Sequence, residues 1–285
     1  MKNYNWTPQA RYYDFGRPFP SRYVNALFYG CKNTLNYLKN EQKVICYEPG
    51  VGTGRMLIPL AEIHSDWEFF GTDVSIDMLT ELNFKKVCQS LQNIHTIHHD
   101  SVDFFLNEKC NLLIISSLLH AVKKWECLVN NLINNNLSNN GIICLIGEEG
   151  DIYNFALGRY TEKTNNNLCL FWEKYIEVRK LLGIPNPEQS QIGCKWEVNN
   201  NEPANYIINN GFTEIDSFKF NWEQFFTIDD LLNIVKERCY SSMFTVDEEI
   251  YIKLVEKICE FYKNKDVSEY VVSKHTAIIR CFKKI

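Results

Sequence analysis

Short apolar runs alternate with helix-like segments between about residues 43 and 147, and this alternation constrains the fold more than any other feature. The runs are continuous, which is typical of strands that are buried on both faces. Strands that alternate with helices indicate a mostly parallel α/β sheet covered by helices on both sides. The expected strands are KVICYE, WEFFGTD, IHTIHHD, NLLIISSLL and GIICLIGEE.

The alternation breaks after residue 150, where aromatic side chains become frequent. We interpret residues 151–200 as a helical insertion that caps the sheet and the substrate. Helix and strand patterns return in residues 201–285 and end in a β-rich run, SEYVVSKHTAIIRCFKK. We therefore divide the chain into an N-terminal segment (1–40), a core (41–150), the insertion (151–200) and a part that completes the sheet (201–285).

Composition disfavours nucleic-acid-binding, membrane-spanning, secreted and metal-binding proteins. The formal net charge is −5 and no block of basic residues stands out, which disfavours bulk nucleic-acid binding. No apolar run reaches the roughly 20 residues of a membrane helix, and the first residues lack the apolar centre of a secretory signal. The eleven cysteines form no Cys-x-x-Cys pair, which favours a reduced compartment and no metal site. We expect a cytoplasmic protein, without membrane contact and of unknown oligomeric state.

A glycine-rich turn follows the first expected strand. Gly50, Gly52 and Gly54 form G-x-G-x-G, whereas the dinucleotide fingerprint is G-x-G-x-x-G. Glu48 precedes the turn and would repel a pyrophosphate. It suits a ligand that carries positive charge, such as the sulfonium and ammonium groups of S-adenosylmethionine. The turn therefore favours S-adenosylmethionine over a nicotinamide cofactor.

Acidic residues also end the next two expected strands. Asp73 ends the second strand, where a carboxylate can accept hydrogen bonds from both ribose hydroxyls. Asp100 and the amide of Ser101 follow the third strand and suit the adenine amino group. Met78 begins the next helix and would cover the adenine face, with core packing as the alternative. Ligands of open α/β sheets bind at this carboxyl edge.

These stretches resemble a known family. EPGVGTGR, DVSIDML and HDS are similar to successive motifs of class I S-adenosylmethionine-dependent methyltransferases, in the branch that methylates small molecules. The resemblance implies a Rossmann-like seven-stranded sheet whose last strand is antiparallel. It also places Val74 and Ser116 in the cofactor site. Asn111, where the family often has Asp, and SNNG, where it has Pro-Gly-Gly, depart from the pattern, and we expect both departures to be structural.

The N-terminal stretch RYYDFGRPFPSRY is rich in aromatic and charged residues. A segment that merely wraps the core is one interpretation. The family resemblance implies a lid over cofactor and substrate. In that interpretation Tyr13 places its ring near the sulfonium, Arg17 pairs with the methionine carboxylate, and Tyr12 contacts the substrate.

Candidate residues for the acceptor follow the fourth strand and occupy the later helices. His120 is a candidate general base, with local packing as the alternative. Trp172, Tyr175 and Arg179 share one helical face, which indicates either a substrate wall or core packing. Arg238 and Tyr240 are further substrate candidates.

The function predicted from these features is methyl transfer from S-adenosylmethionine to an oxygen, nitrogen or carbon atom of a small molecule, leaving S-adenosylhomocysteine. The donor is already activated, so in-line alignment and exclusion of water are the main requirements. Two alternatives stay open. A methyltransferase of peptide or protein side chains would present an open groove, and a non-catalytic cofactor-binding partner would lack an acceptor pocket.

Overall fold

The computed structural model describes residues 10–156, 167–185, 201–240, 243, 246–266, 268 and 270–284. A seven-stranded sheet consists of β1 (Ile45–Pro49), β2 (Glu68–Asp73), β3 (Ile94–His98), β4 (Cys110–Ser116), β5 (Leu137–Gly150), β6 (Phe212–Thr227) and β7 (Tyr270–Lys284). The described helices are α1 (Tyr13–Gly16), α2 (Ser21–Gly30), α3 (Lys32–Leu38), α4 (Leu57–Ile63), α5 (Ile76–Cys88), α6 (Trp125–Asn131), α7 (Asp151–Ala156), α8 (Asn167–Leu181), α9 (Glu202–Asn209), α10 (Ile228–Lys236) and α11 (Glu248–Tyr262). None of these helices is long and apolar enough to cross a membrane.

The strand order is β3-β2-β1-β4-β5-β7-β6. Strands β1 to β5 pair in parallel, and β7 lies antiparallel between β5 and β6. The predicted fold class and the antiparallel last strand are therefore confirmed. The order reverses between β1 and β4, and ligands of open α/β sheets bind in the crevice beyond such a switch point.

Side chains of the inner strands alternate between two hydrophobic clusters, one on each face of the sheet. Along β1, Ile45 and Tyr47 join the cluster that includes Trp125 of α6, whereas Cys46 joins the cluster that includes Leu27 of α2. This period of two explains why the strands are apolar throughout. Both faces of the sheet are thus covered by side chains of the clusters, which leaves the carboxyl ends of the strands for a ligand.

A third cluster lies in the insertion and the C-terminal helices. It joins the buried faces of α8, α10 and α11 to the ends of β6 and β7. The structure thus places two helices, α7 and α8, in the stretch where the sequence predicts a helical insertion. Of the aromatic residues in that stretch, Tyr160 and Trp196 lie outside the described residues.

The two departures from the family pattern have structural roles. The side-chain oxygen of Asn111 in β4 accepts the backbone N–H of Ile45 in β1 at 2.9 Å. An asparagine carbonyl oxygen can accept this bond as a carboxylate would. Ahead of β5, a π-turn at Leu132–Asn136 leads from α6 directly into the strand, which begins before the SNNG sequence.

The N-terminal segment is attached to the far edge of the sheet through one carboxylate. Asp216 of β6 accepts the backbone N–H and the hydroxyl of Thr34 at 2.7 and 2.8 Å. Asn33 donates to the other oxygen of Asp216. These donors include N–H groups in the first turn of α3, which have no partner within the helix. Asp216 therefore caps α3 and fixes the path of the chain that precedes the core.

Asp216→Ala should destabilise the protein, because it leaves several donors of α3 without an acceptor. Hydrogen bonds to a charged group are worth about 1.5–3 kcal/mol each, of which water will recover part at this half-buried position. We expect a loss of roughly 2 kcal/mol in the free energy of unfolding, measured by urea denaturation. Glu223→Ala, at an exposed position of the same strand, is the matched control. Equal stability of the two variants would show that Asp216 does not cap the helix.

Candidate functional site

The loop after β1 turns through three glycines in the left-handed region. Gly50, Gly52 and Gly54 have φ values of 63°, 55° and 79°. A Cβ at Gly50 would lie 2.6 Å from Leu118, and one at Gly54 would lie 2.9 Å from Leu82, so packing excludes side chains there. A Cβ at Gly52 would meet no atom within 4 Å. Gly52 therefore faces open space where a ligand can approach the backbone.

Asp73 at the end of β2 ties this loop to the next helix. One carboxylate oxygen accepts the N–H of Gly52 at 2.8 Å, and the other accepts the N–H of Ser75 at 2.8 Å. Burial raises the pKa of Asp73, and the backbone donors oppose that shift. Ser75 caps α5 by accepting the N–H of Met78 at 3.3 Å. Since Ser75 supplies the cap, and each Asp73 oxygen keeps a second lone pair, Asp73 can also accept ribose hydroxyls.

Glu48 is a second buried acid at the edge of the sheet. Only 3% of its surface is exposed, and its Oε2 has no hydrogen-bond partner among the described residues. Burial raises its pKa, and the nearby Arg55 lowers it. Arg55 itself pairs with Glu148 at the end of β5, with 2.5 Å between Nη2 and Oε2. A buried carboxylate oxygen without a partner fits the ammonium group of a ligand.

The predicted adenine contacts lie at the tips of β2 and β3. Val74 is 55% exposed, as a residue that covers a ligand ring would be. Asp100 is exposed, and its carboxylate accepts the N–H of Val102 at 3.0 Å. Ser101 is buried, and its hydroxyl hydrogen-bonds that of Thr72 at 2.8 Å. Met78 is buried in α5, which favours its alternative role in core packing.

A cavity of about 50 Å³ lies in front of the glycine loop. It is lined by Tyr13, Glu48, Gly50, Val51, Gly52, Thr53, Arg55, Met56, Ser116 and Ser117. This volume is far below the roughly 300–1,000 Å³ of sites that hold drug-sized molecules. Tyr13 forms part of its wall, so the N-terminal segment stands over the loop. The cavity as it stands is therefore smaller than S-adenosylmethionine.

Polar contacts hold the N-terminal segment in this position. Asp14 in α1 forms an ion pair with Lys85 of α5. It also accepts the hydroxyl of Thr53 in the glycine loop at 2.5 Å. The Lys85 ammonium donates to the carbonyl oxygen of Thr53 at 2.9 Å. The segment is therefore anchored to the loop that would contact the cofactor.

His120 follows β4 in a short 3₁₀ turn and is half-buried. Burial lowers its pKa to about 4, and the positive charge of Arg17 adds to the shift. The imidazole is therefore neutral across the physiological range. It can accept a proton, but as a weak base, because an acidic conjugate acid implies low basicity. An unperturbed histidine would titrate near 6.5, so His120 titrates well below the pH at which a free histidine does.

The remaining substrate candidates lie in or against the third hydrophobic cluster. Trp172 and Tyr175 are fully buried in the third cluster, and Arg179 donates to the Tyr175 hydroxyl at 3.0 Å. Arg238 pairs with Glu248 at 2.7 Å. Tyr12 is partly buried against the same cluster. This arrangement favours the core-packing alternative for Trp172, Tyr175 and Arg179.

Tyr240 differs because it also reaches the N-terminal segment. Its hydroxyl donates to the carbonyl oxygen of Gly16 at 2.6 Å, and its ring lies 5.0 Å from the guanidinium carbon of Arg17. The ring centroid of Trp172 lies 6.3 Å from that of Tyr240. Tyr240 therefore connects the insertion to the segment over the cofactor loop.

Sequence reasoning missed the Arg55–Glu148 pair and the contacts of Asp14, Thr53 and Lys85. A signal existed for Glu148, which ends the fifth strand as other acids end the first three. Nothing in the sequence spacing indicated its partner, because Arg55 comes from a distant part of the chain.

Comparisons with known proteins agree with this geometry. Residues 42–111 match a family model described as "Putative methyltransferase". This segment holds β1 to β3, the glycine loop, Glu48, Asp73 and Asp100. Over these residues the chain is similar to methyltransferases. The predicted class of enzyme, with S-adenosylmethionine as its cofactor, is thereby confirmed.

Solved structures of other proteins are similar in fold to most of this chain. A putative sarcosine dimethylglycine methyltransferase from Galdieria sulphuraria has a TM-score of 0.50 at 8% identity, over 92% of this chain and 85% of that one. A putative methyltransferase from Bacillus halodurans C-125 has a TM-score of 0.49 at 12% identity, and the match covers 89% of this chain and 99% of that one. A methyltransferase from Thiobacillus denitrificans in complex with S-adenosylhomocysteine has a TM-score of 0.48 at 15% identity, and the match covers 94% of this chain and 97% of that one. No curated protein matches the sequence.

Gly52→Ala should abolish binding of S-adenosylhomocysteine, because the new methyl group would occupy the space in front of the loop. Gly183→Ala is the matched control, since Gly183 also has a positive φ of 69° and open space around a Cβ. Left-handed backbone costs an alanine about 1–2 kcal/mol at either site. Calorimetry should show that Gly183→Ala binds S-adenosylhomocysteine and that Gly52→Ala does not. The two variants should lose similar amounts of unfolding free energy. Near-normal affinity of Gly52→Ala would place the ligand elsewhere.

Glu48→Gln should change how stability depends on pH in the ligand-free protein. Because the folded state raises the Glu48 pKa, it binds a proton more tightly than the unfolded chain does. The free energy of unfolding therefore falls as pH rises from the ordinary glutamate pKa through the raised one. Glutamine removes this loss, so the variant should gain stability relative to wild type between about pH 5 and about pH 8. Urea denaturation of both proteins at these two pH values measures the difference in unfolding free energy.

The exposed Glu223→Gln is the control for this comparison. If Glu48→Gln and Glu223→Gln follow the wild-type pH dependence equally, Glu48 has an ordinary pKa and the account of the buried acid fails.

Proposed function

We propose that this protein transfers the methyl group of S-adenosylmethionine to a nucleophilic atom of a small molecule. One observation carries the proposal: two buried carboxylates, Glu48 and Asp73, stand on either side of a glycine loop whose central residue faces open space. A cofactor with cationic groups and a ribose, and without phosphate, is complementary to this arrangement.

Different residues would bind different parts of the cofactor. The unpartnered oxygen of Glu48 would receive the ammonium group, and Asp73 the ribose hydroxyls. Val74, Asp100 and Ser101 would surround the adenine. The backbone at Gly52 allows close approach of the methionyl part. Ser116, at the end of β4, lines the cavity from the opposite side.

Coverage of the site supports a small acceptor rather than a peptide. The N-terminal segment lies over the loop, where Tyr13 lines the cavity and Arg17 stacks on the Tyr13 ring. Tyr240 ties this segment to the C-terminal part of the chain through its hydrogen bond to the carbonyl oxygen of Gly16. A peptide side chain would require an open groove, whereas a covered site excludes water and encloses a small molecule.

The chain's own residues have a limited chemical task. When bound, S-adenosylmethionine supplies a methyl group on a positively charged sulfur, which an acceptor atom in line with the carbon–sulfur bond can displace. Glu48 and Asp73 hold the donor in place, and the N-terminal segment excludes water. His120, neutral at physiological pH, can orient the acceptor by a hydrogen bond or receive its proton.

Asp73→Asn tests the proposed cofactor site, because the amide cannot accept from both Gly52 and Ser75 and also bind two ribose hydroxyls. We expect a loss of about tenfold to a hundredfold in affinity for S-adenosylmethionine. Asp66→Asn, at an exposed position, is the control. Calorimetry gives the affinities, and release of S-adenosylhomocysteine with a panel of small amines, phenols and acids gives the activity. Unchanged affinity in Asp73→Asn, or methylation only of peptides, would refute the proposal.

His120→Gln should lower the turnover rate while cofactor affinity stays close to that of wild type. If His120 accepts the acceptor's proton, the loss should be about 10²–10⁴-fold. Because its pKa is about 4, the wild-type rate should show no histidine step between about pH 5.5 and about pH 8. A step near the ordinary histidine pKa that vanishes in the variant would contradict the buried, neutral imidazole.

A further inference from the structure

Arg17 is held in a fixed orientation between two aromatic rings. Its guanidinium carbon lies 4.5 Å from the centre of the Tyr13 ring and 5.0 Å from that of Tyr240. Nη1 donates to the carbonyl oxygen of Cys239 at 2.5 Å. Stacking on rings and one hydrogen bond to the backbone fix the plane of the guanidinium. Its position is thus set before any ligand binds.

This guanidinium has no carboxylate partner among the residues that the structure describes. Arg55, Arg238 and Arg280 each pair with a glutamate. Arg17 uses one of its five N–H donors in the bond to Cys239, which leaves donors for a second ligand. A half-buried cation without a counter-ion is costly. An anion supplied by a ligand would remove that cost.

Arg17 lies next to the cavity at the glycine loop and does not line it. The residues that line the cavity at the glycine loop include Tyr13 and Arg55, and they do not include Arg17. Arg17 instead lies beyond Tyr13, close enough to His120 to lower its pKa, and against Tyr240. This position allows a partner other than the methionine carboxylate of the cofactor, and the pairing with that carboxylate stays a prediction.

We propose that Arg17 binds a carboxylate of the methyl acceptor, so that the acceptor is a small organic acid. The proposal rests on the proposed function, because the acceptor side is defined by the methyl donor. A planar guanidinium binds a carboxylate through two parallel hydrogen bonds, and the two rings set the plane in which the acid must lie. His120 would then face the rest of the acceptor. Arg17 is in this account a specificity-determining residue.

The test uses benzoate as a probe and benzamide as its uncharged counterpart, both titrated into protein saturated with S-adenosylhomocysteine. We expect benzoate to bind at least about tenfold more tightly than benzamide, as for a hydrogen-bonded charge pair. Arg17→Gln should remove this preference. Arg17→Lys should keep a part of it, because a lysine retains the charge and loses the planar geometry. Arg22→Gln, which changes an arginine stacked on Tyr23 away from the site, should keep all of it.

The variants also distinguish binding of the acceptor's carboxylate by Arg17 from binding of the cofactor's carboxylate. If Arg17 binds the acceptor, affinity for S-adenosylhomocysteine should be unchanged in Arg17→Gln. A loss of that affinity would assign Arg17 to the cofactor and overturn the proposal. The proposal would also fail if the wild type bound benzoate no more tightly than benzamide, or did not bind benzoate. Failure of the wild type to bind S-adenosylhomocysteine would instead refute the proposed function. Circular dichroism of Arg17→Gln and Arg17→Lys checks that both variants fold.

Discussion

The carboxylate of Asp73 is the contact on which the cofactor site depends. It receives one N–H from the glycine loop and one from the start of α5, so a single side chain joins β1, β2 and the next helix. This arrangement positions Gly52 with its open face toward the ligand. It also keeps a charged acceptor at the edge of the sheet. The parallel strands supply the platform, and Asp73 orients the loop on it.

Charge balance around the loop explains which ligand the site can hold. Glu48 is buried next to Arg55, but Arg55 is bonded to Glu148, so the unpartnered oxygen of Glu48 is left for another cation. Two buried acids on the cofactor side would repel a pyrophosphate and attract a sulfonium and an ammonium. Next to the cavity at the glycine loop, Arg17 stacks on Tyr13 and supplies positive charge without an acid beside it among the described residues.

Local patterns were sufficient to predict most of the fold and the cofactor residues. Continuous apolar runs located five parallel strands, and the residues at their tips, Glu48 and Asp73, needed only the geometry of such a sheet. Contacts between distant parts of the chain were not accessible in this way. The spacing of Trp172 and Tyr175 could not distinguish a substrate wall from a core, because both place aromatic residues on one helical face. The low pKa of His120 depends on burial and on Arg17, which approaches from the other end of the sequence.

The central claim is that two buried carboxylates at the strand tips select a cationic, phosphate-free nucleoside cofactor. Parallel calorimetric titrations of the wild-type protein with S-adenosylhomocysteine and with oxidised nicotinamide adenine dinucleotide test it most directly. The account predicts saturable binding of S-adenosylhomocysteine at one site per chain and no binding of the dinucleotide. Binding of the dinucleotide in preference to S-adenosylhomocysteine would contradict it.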